Sequence, residues 1–108
     1  MKNPNDPKFH ETIPRPTMWR VSQQIGITQP ALRKWFTGNG TPRLVNLQVF
    51  AKHLGCTIDE ALEAIRRTQE VYKHKGQLPY GLMIEKDMLV KEYEEIINGN
   101  VTQSEENL

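Results

Sequence analysis

A single thiol, Cys56, is all the cysteine chemistry that 108 residues carry. One cysteine cannot close an internal disulfide, and without a CxxC pair there is no zinc-ribbon or thioredoxin-type spacing. Cys56 is expected to act as a small buried hydrophobe. His10, His53 and His74 lie far apart, and none falls in an HxxxH or HExxH frame, so a helix-borne metal site is not expected. GxSxG and GxxxxGK[ST] are also missing, which removes the nucleophile elbow and the phosphate loop. No catalysis, cofactor or metal is expected. Aromatic residues make up only 7% of the chain, against 37% hydrophobic and 25% charged. The core must then be modest and aliphatic, and the length suits one small domain with tails rather than a large enzyme cleft. No apolar run approaches the roughly 20 residues of a membrane span, and the opening MKNPNDPKFHETIPRP has no apolar signal segment. A cytoplasmic location with no membrane association is the expectation.

The net charge of +1 conceals an asymmetry. Residues 1–83 hold twelve Lys and Arg against six Asp and Glu, a net of +6, whereas 84–108 hold two against seven, a net of −5. A basic body with an acidic end suits a polyanion-binding domain whose appendage is turned away from the polyanion. Plain solvation of both parts would give the same totals, so charge alone does not decide the function.

Four of the seven prolines fall in residues 1–16, and proline removes amide donors and disfavours helix in the residue before it. An extended arm is expected there. Thr17 then offers an N-cap, and Met18, Val21 and Ile25 describe a short helix ending before Gly26. Thr28 caps the next helix, with Pro30 tolerated in its first turn. Leu32, Trp35 and Phe36 face inward, leaving Gln29, Arg33 and Lys34 outside. Residues 37–42 read as a loop from their turn residues. Leu44, Leu47, Ala51 and Leu54 trace a third helix, which Gly55 closes. Thr57 and Glu60 form a capping box for a fourth, with Ile58, Ala61, Leu62 and Ile65 inward. Its stripe thins after Ile65 to Tyr72 alone, and Arg66 and Arg67 are expected on a solvent face. Gly76 to Gly81, with Pro79, break the chain again. From about Met83 to Asn98, Leu89, Tyr93, Ile96 and Ile97 recur among five carboxylates, an amphipathic acidic helix. The final residues, 99–108, are expected to be disordered.

Two short helices around a glycine turn, the second with a polar cap and an outward row of Gln, Arg and Lys, form the helix-turn-helix pattern. Gln can pair with adenine N6 and N7, and Arg or Lys with guanine O6 and N7, in a major groove wide enough for one helix. Residues 21–62, VSQQIGITQPALRKWFTGNGTPRLVNLQVFAKHLGCTIDEAL, resemble the λ-repressor/Cro (XRE-type) family. The resemblance rests on the glycine turn, the Thr cap, W-x-x-G after the second helix, P-x-L-x-N-L, and A-x-x-L-G-x-x-x-D-E-x-L. It implies an all-α domain that binds double-stranded DNA. Thr28 and Gln29 then fall at the start of the recognition helix, with Gln29 leading the base readers and Ala31, Arg33 and Lys34 beside it. Thr37, Asn39, Thr41 and Arg43 fall in the loop that grips the phosphate backbone.

Two departures accompany the resemblance. The family's first helix corresponds here to the proline-rich arm, so Phe9, Ile13, Trp19 or the acidic helix must cover the exposed core. Pro30 also stands where many members place a hydrogen-bonding side chain. The expected organisation is an arm over 1–16, a helix-turn-helix domain over 17–75, a loop and acidic helix over 76–98, and a tail over 99–108. A dimeric transcriptional repressor of bacterial, phage or plasmid origin is expected, with Leu89, Tyr93, Ile96 and Ile97 pairing two subunits over an inverted-repeat operator, nucleoid-associated when bound. An alternative is an antitoxin or anti-repressor whose C-terminal segment binds a protein partner and whose DNA binding is autoregulatory. A third is a helix-turn-helix that only scaffolds proteins, against which the polar, basic outer face of residues 29–34 speaks.

Overall fold

The computed structural model describes the backbone of residues 15–106 and the side chains of 15–99. Within them the chain is all-helical: α1 Met18–Ile25, α2 Gln29–Thr37, α3 Leu44–Leu54, α4 Ile58–Lys75 and α5 Val90–Glu106. The expected absence of a first helix concerns residues 1–14, as do Phe9 and Ile13, and these lie outside the described residues.

Each early helix begins where a threonine satisfies an amide that has no helical partner. Thr17 accepts from the Arg20 amide and Thr28 from the Ala31 amide. Thr57 and Glu60 exchange reciprocal bonds of 3.0 and 3.1 Å, completing the capping box. Between α1 and α2, Gly26 adopts φ 74°, a left-handed conformation that reverses the chain within three residues. That reversal sets the two helices of the motif against each other.

Helix α4 is the spine, packing against α2, α3 and α5, while α1 packs on α2 and α3. Leu32, Phe36, Phe50, Ile65 and Val21 are fully enclosed between them. Trp35 meets Phe50 edge-on, with ring centroids 5.7 Å apart and an interplanar angle of 81°. This geometry favours aromatic pairs beyond their burial. The inward face of α4 continues further than expected. Thr68 and Val71 are wholly buried and extend the stripe of Ala61, Ala64 and Ile65, whereas Tyr72 is only half-buried. The Thr68 hydroxyl donates to the Ala64 carbonyl at 2.7 Å, so a polar residue enters the core with its hydrogen bond made.

The segment after α4 departs most from expectation. Residues 83–89 are not helical; they run as an ordered strap whose Leu82, Ile84 and Met88 enter the core. The strap is tied to the start of α1 by an isolated antiparallel bridge between Thr17 and Met83 and by the Ile84 amide donating to the Pro16 carbonyl at 2.6 Å. Trp19, expected to cover the core, is instead 57% exposed; the strap takes that place. Arg67, expected on a solvent face, is half-buried and donates to the carbonyls of Met88 at 3.0 Å and Lys86 at 3.3 Å. Arg66 does lie on the surface, paired with Glu63. Leu89 closes the strap with φ 56°, the one positive φ outside glycine among the described residues. The acidic helix therefore starts at Val90, not near Met83, and its backbone remains helical to Glu106, through most of the segment expected to be disordered. Gly99 sits inside it without breaking the hydrogen-bond ladder.

Candidate nucleic-acid interface

The outer side of α2 follows from its inner one. Leu32, Trp35 and Phe36 are buried, and on a 3.6-residue repeat this turns Gln29, Arg33 and Lys34 outward. All three are exposed, as is Pro30, and Ala31 is half-buried against the core. The structure thus brings Gln29, Arg33 and Lys34 together on one helix held rigidly by its own packing. Pro30 occupies the first turn, where its missing amide costs no helical bond. Thr28 accepts from the Ala31 amide at 3.3 Å, and its hydroxyl hydrogen is left free to donate.

The loop that follows is fixed by the end of α2. The Lys34 carbonyl accepts from the amides of Asn39 and Gly40, at 2.9 and 3.2 Å. From α4, the Gln69 side-chain amide reaches across to the Trp35 carbonyl at 2.8 Å. The Thr37 hydroxyl donates back to the Arg33 carbonyl at 2.8 Å and accepts from the Asn39 side-chain amide at 3.2 Å. Its hydrogen is committed to the helix, so Thr37 positions Asn39 and is not itself placed to donate to an anion. Thr41 and Arg43 are exposed. Arg43 holds the N-cap position of α3 without a side-chain cap bond, leaving both its guanidinium and the first amides of α3 available. Oriented amides and a cation at a helix start suit a phosphate. The ion pairs found among the described residues are Arg66–Glu63 and Lys86–Glu60. Arg33, Lys34 and Arg43 take part in neither.

The residues expected at a dimer contact are distributed differently. Leu89 packs against the chain's own core, Tyr93 and Ile96 are half-buried and Ile97 is 40% exposed. Cys56 lies at the core's edge, half-buried rather than enclosed; burial and then the nearby Glu60 push its thiol pKa up, which keeps it protonated.

Two further residues adjoin the recognition helix that the sequence did not single out for this place. A cleft of about 620 Å³ separates Gln29 and Arg33 from the turn at Pro79, Tyr80 and Gly81, with Trp19 on its wall. The turn itself was legible from Pro79 and Gly81; its return to α2 was not, because it depends on the strap.

A compact helical domain with a capped, polar and cationic helix presented beside a short turn is a helix-turn-helix DNA-binding domain. Residues 20–60 match the family model described as helix-turn-helix, and this part of the chain belongs to that λ-repressor-like (XRE) family of DNA-binding regulators. No curated protein and no solved structure matches the chain. No described helix is long and apolar enough to cross a membrane.

Proposed function

We propose that the chain is a sequence-specific transcriptional regulator that represses by occupying its operator as a dimer. The reading is carried by the exposed row of Gln29, Arg33 and Lys34 on a helix anchored by Leu32, Trp35 and Phe36. Gln29 and Arg33 read base edges, with Lys34 beside them, while Asn39, Thr41 and Arg43 hold the phosphates. A single short reading helix seldom supplies enough affinity to select one genomic site, which favours two subunits on an inverted repeat with half-site centres about 34 Å apart. Repression follows from occlusion of a promoter by so small a protein, which carries no separate ligand domain among the described residues.

Selection from a randomised duplex library, followed by binding measured against salt, tests the proposal. If each subunit neutralises three or four phosphates, log K should fall with log salt at a slope of roughly −5 to −7. Selection should return an inverted repeat. Absence of binding to any duplex at low salt would remove the proposal.

A further inference from the structure

We propose that the turn Pro79–Leu82 is a second DNA-contacting element, with Tyr80 donating its hydroxyl to a backbone phosphate beside the groove that α2 enters. This rests on the DNA-binding reading above. Tyr80 is fully exposed, an unusual state for a large ring at the tip of an ordered segment. The turn holds it there. The Leu82 amide donates to the Pro79 carbonyl at 3.2 Å, and Gly81, with φ 71°, supplies the left-handed third position that this closure demands. On one side Leu78 packs against the core; on the other Leu82 and Ile84 are buried in it, and Met83 pairs with Thr17. A rigid loop therefore presents an aromatic side chain that makes no core contact.

Its position identifies what it meets. The cleft beside the turn has Gln29 and Arg33 of the recognition helix as its opposite wall, with Trp19 adjoining, and no carboxylate lines it. The other side of the same turn faces Glu85, Asp87 and Glu92. The turn thus divides a neutral-to-cationic side, continuous with the reading residues, from an acidic side that a phosphate strand would avoid. Arg15 adds a further cation, its guanidinium lying 3.8 Å from the Met83 sulfur. When α2 lies in a major groove, elements flanking its N-terminal half stand over one phosphate strand, and the 37–43 loop beyond its C-terminal end stands over another. A phenol hydroxyl is a suitable donor for a phosphate oxygen, and phosphate contacts set the protein's register without reading sequence.

The experiment compares the full chain with Tyr80→Ala and Tyr80→Phe on selected and random duplexes, across salt concentration, together with phosphate-ethylation interference. Tyr80→Ala should weaken binding about five- to tenfold on both duplexes. Its salt slope should match the parent's, because no charge is lost, and one ethylation-sensitive phosphate per half-site should cease to interfere. Tyr80→Phe should lose the same phosphate. Since the side chain touches nothing in the core, both variants should melt as the parent does. If the parent binds DNA and Tyr80→Ala binds equally well with an unchanged interference pattern, the turn is no DNA contact and the inference falls, leaving the reading helix intact. If the parent binds no duplex, the DNA-binding reading falls and takes this one with it.

Discussion

At the scale of single residues, the distinction that matters is between side chains that read and side chains that grip. Gln29→Ala removes a two-point contact to a base, so it should cost about 1–3 kcal/mol on the selected site and far less on random duplex. Arg43→Ala removes a charge near the backbone and should weaken both alike while flattening the salt slope. Equal losses for Gln29→Ala on the two duplexes, in a titration of each, would show that α2 is not the reading helix. Pro30 offers no hydrogen-bonding group at its exposed position, so Pro30→Ala should leave specificity unchanged. Elsewhere a single carboxylate ties folding to pH. The hydrogen bond from the Thr57 amide, then that from the Thr57 hydroxyl and the pull of Lys86, hold Glu60 below its ordinary value of 4.5. A folded pKa below the unfolded one stabilises the fold above the unfolded value, and this is lost as pH falls through the folded one. The parent should therefore melt above Glu60→Gln at neutral pH, and the gap in melting temperature should narrow as pH drops below about 4.5. A gap independent of pH would show that the charge of Glu60 contributes nothing.

At the scale of elements, the strap over residues 82–89 is the feature on which the domain's closure depends. Leu89 sits in the left-handed region, at a cost of about 1–2 kcal/mol for a residue with a side chain. Arg67 offsets this by binding two strap carbonyls that a helix would otherwise have satisfied. Arg67→Ala should lower unfolding stability by about 1–3 kcal/mol, the range for hydrogen bonds to a charged group. Amide exchange should also quicken across residues 84–90 ahead of α4. Unchanged exchange there would mean that the strap is held by its apolar side chains alone. The same element explains what could be read from the chain and what could not. Thr17, Thr28 and the Thr57–Glu60 pair announce three helix starts because capping is a local interaction, decided within four residues. The outward row of α2 was legible for a similar reason, since Leu32, Trp35 and Phe36 fix the helix's rotation. Thr68 concealed the continuing stripe of α4, because its hydroxyl is satisfied by a carbonyl one turn back and its methyl group packs as an apolar one would. Arg67 looked solvated because its acceptors lie 19 and 21 residues away. Residues 83–89 contain helix-forming side chains, yet pairing with Pro16 and Thr17 and burial of Ile84 and Met88 override that local preference. Long-range contacts of this kind also bring Tyr80 beside Gln29.

For the whole molecule, the division between what completes one subunit and what joins two now falls at Leu89 rather than at Gly76. Cutting after Gly76 would remove Leu82, Ile84 and Met88, each buried. At about 1.5–3 kcal/mol apiece, their burial amounts to roughly 5–9 kcal/mol. A domain's entire stability is about 5–15 kcal/mol. A chain ending at Gly76 should therefore be unfolded by circular dichroism, whatever its role in pairing. A chain ending at Leu89 keeps all three side chains and both carbonyls that bind Arg67, and loses only α5. That helix carries Glu92, Glu94 and Glu95, which at a DNA surface would be repelled, and its Ile97 is left substantially exposed. Its apolar stripe is only half covered by its own subunit at Tyr93 and Ile96, and a second copy of the same helix would cover the remainder. An isologous pairing through α5 would set both acidic helices between the subunits and both α2 helices on one face of the duplex. The chain ending at Leu89 should then fold, melt below the parent, sediment as a monomer and bind a half-site as well as it binds the full inverted repeat. The parent should sediment as a dimer at micromolar concentration and prefer the full repeat. A dimer that survives loss of α5 would place the pairing surface within residues 1–89, and a parent that remains monomeric even on operator DNA would exclude the two-subunit arrangement.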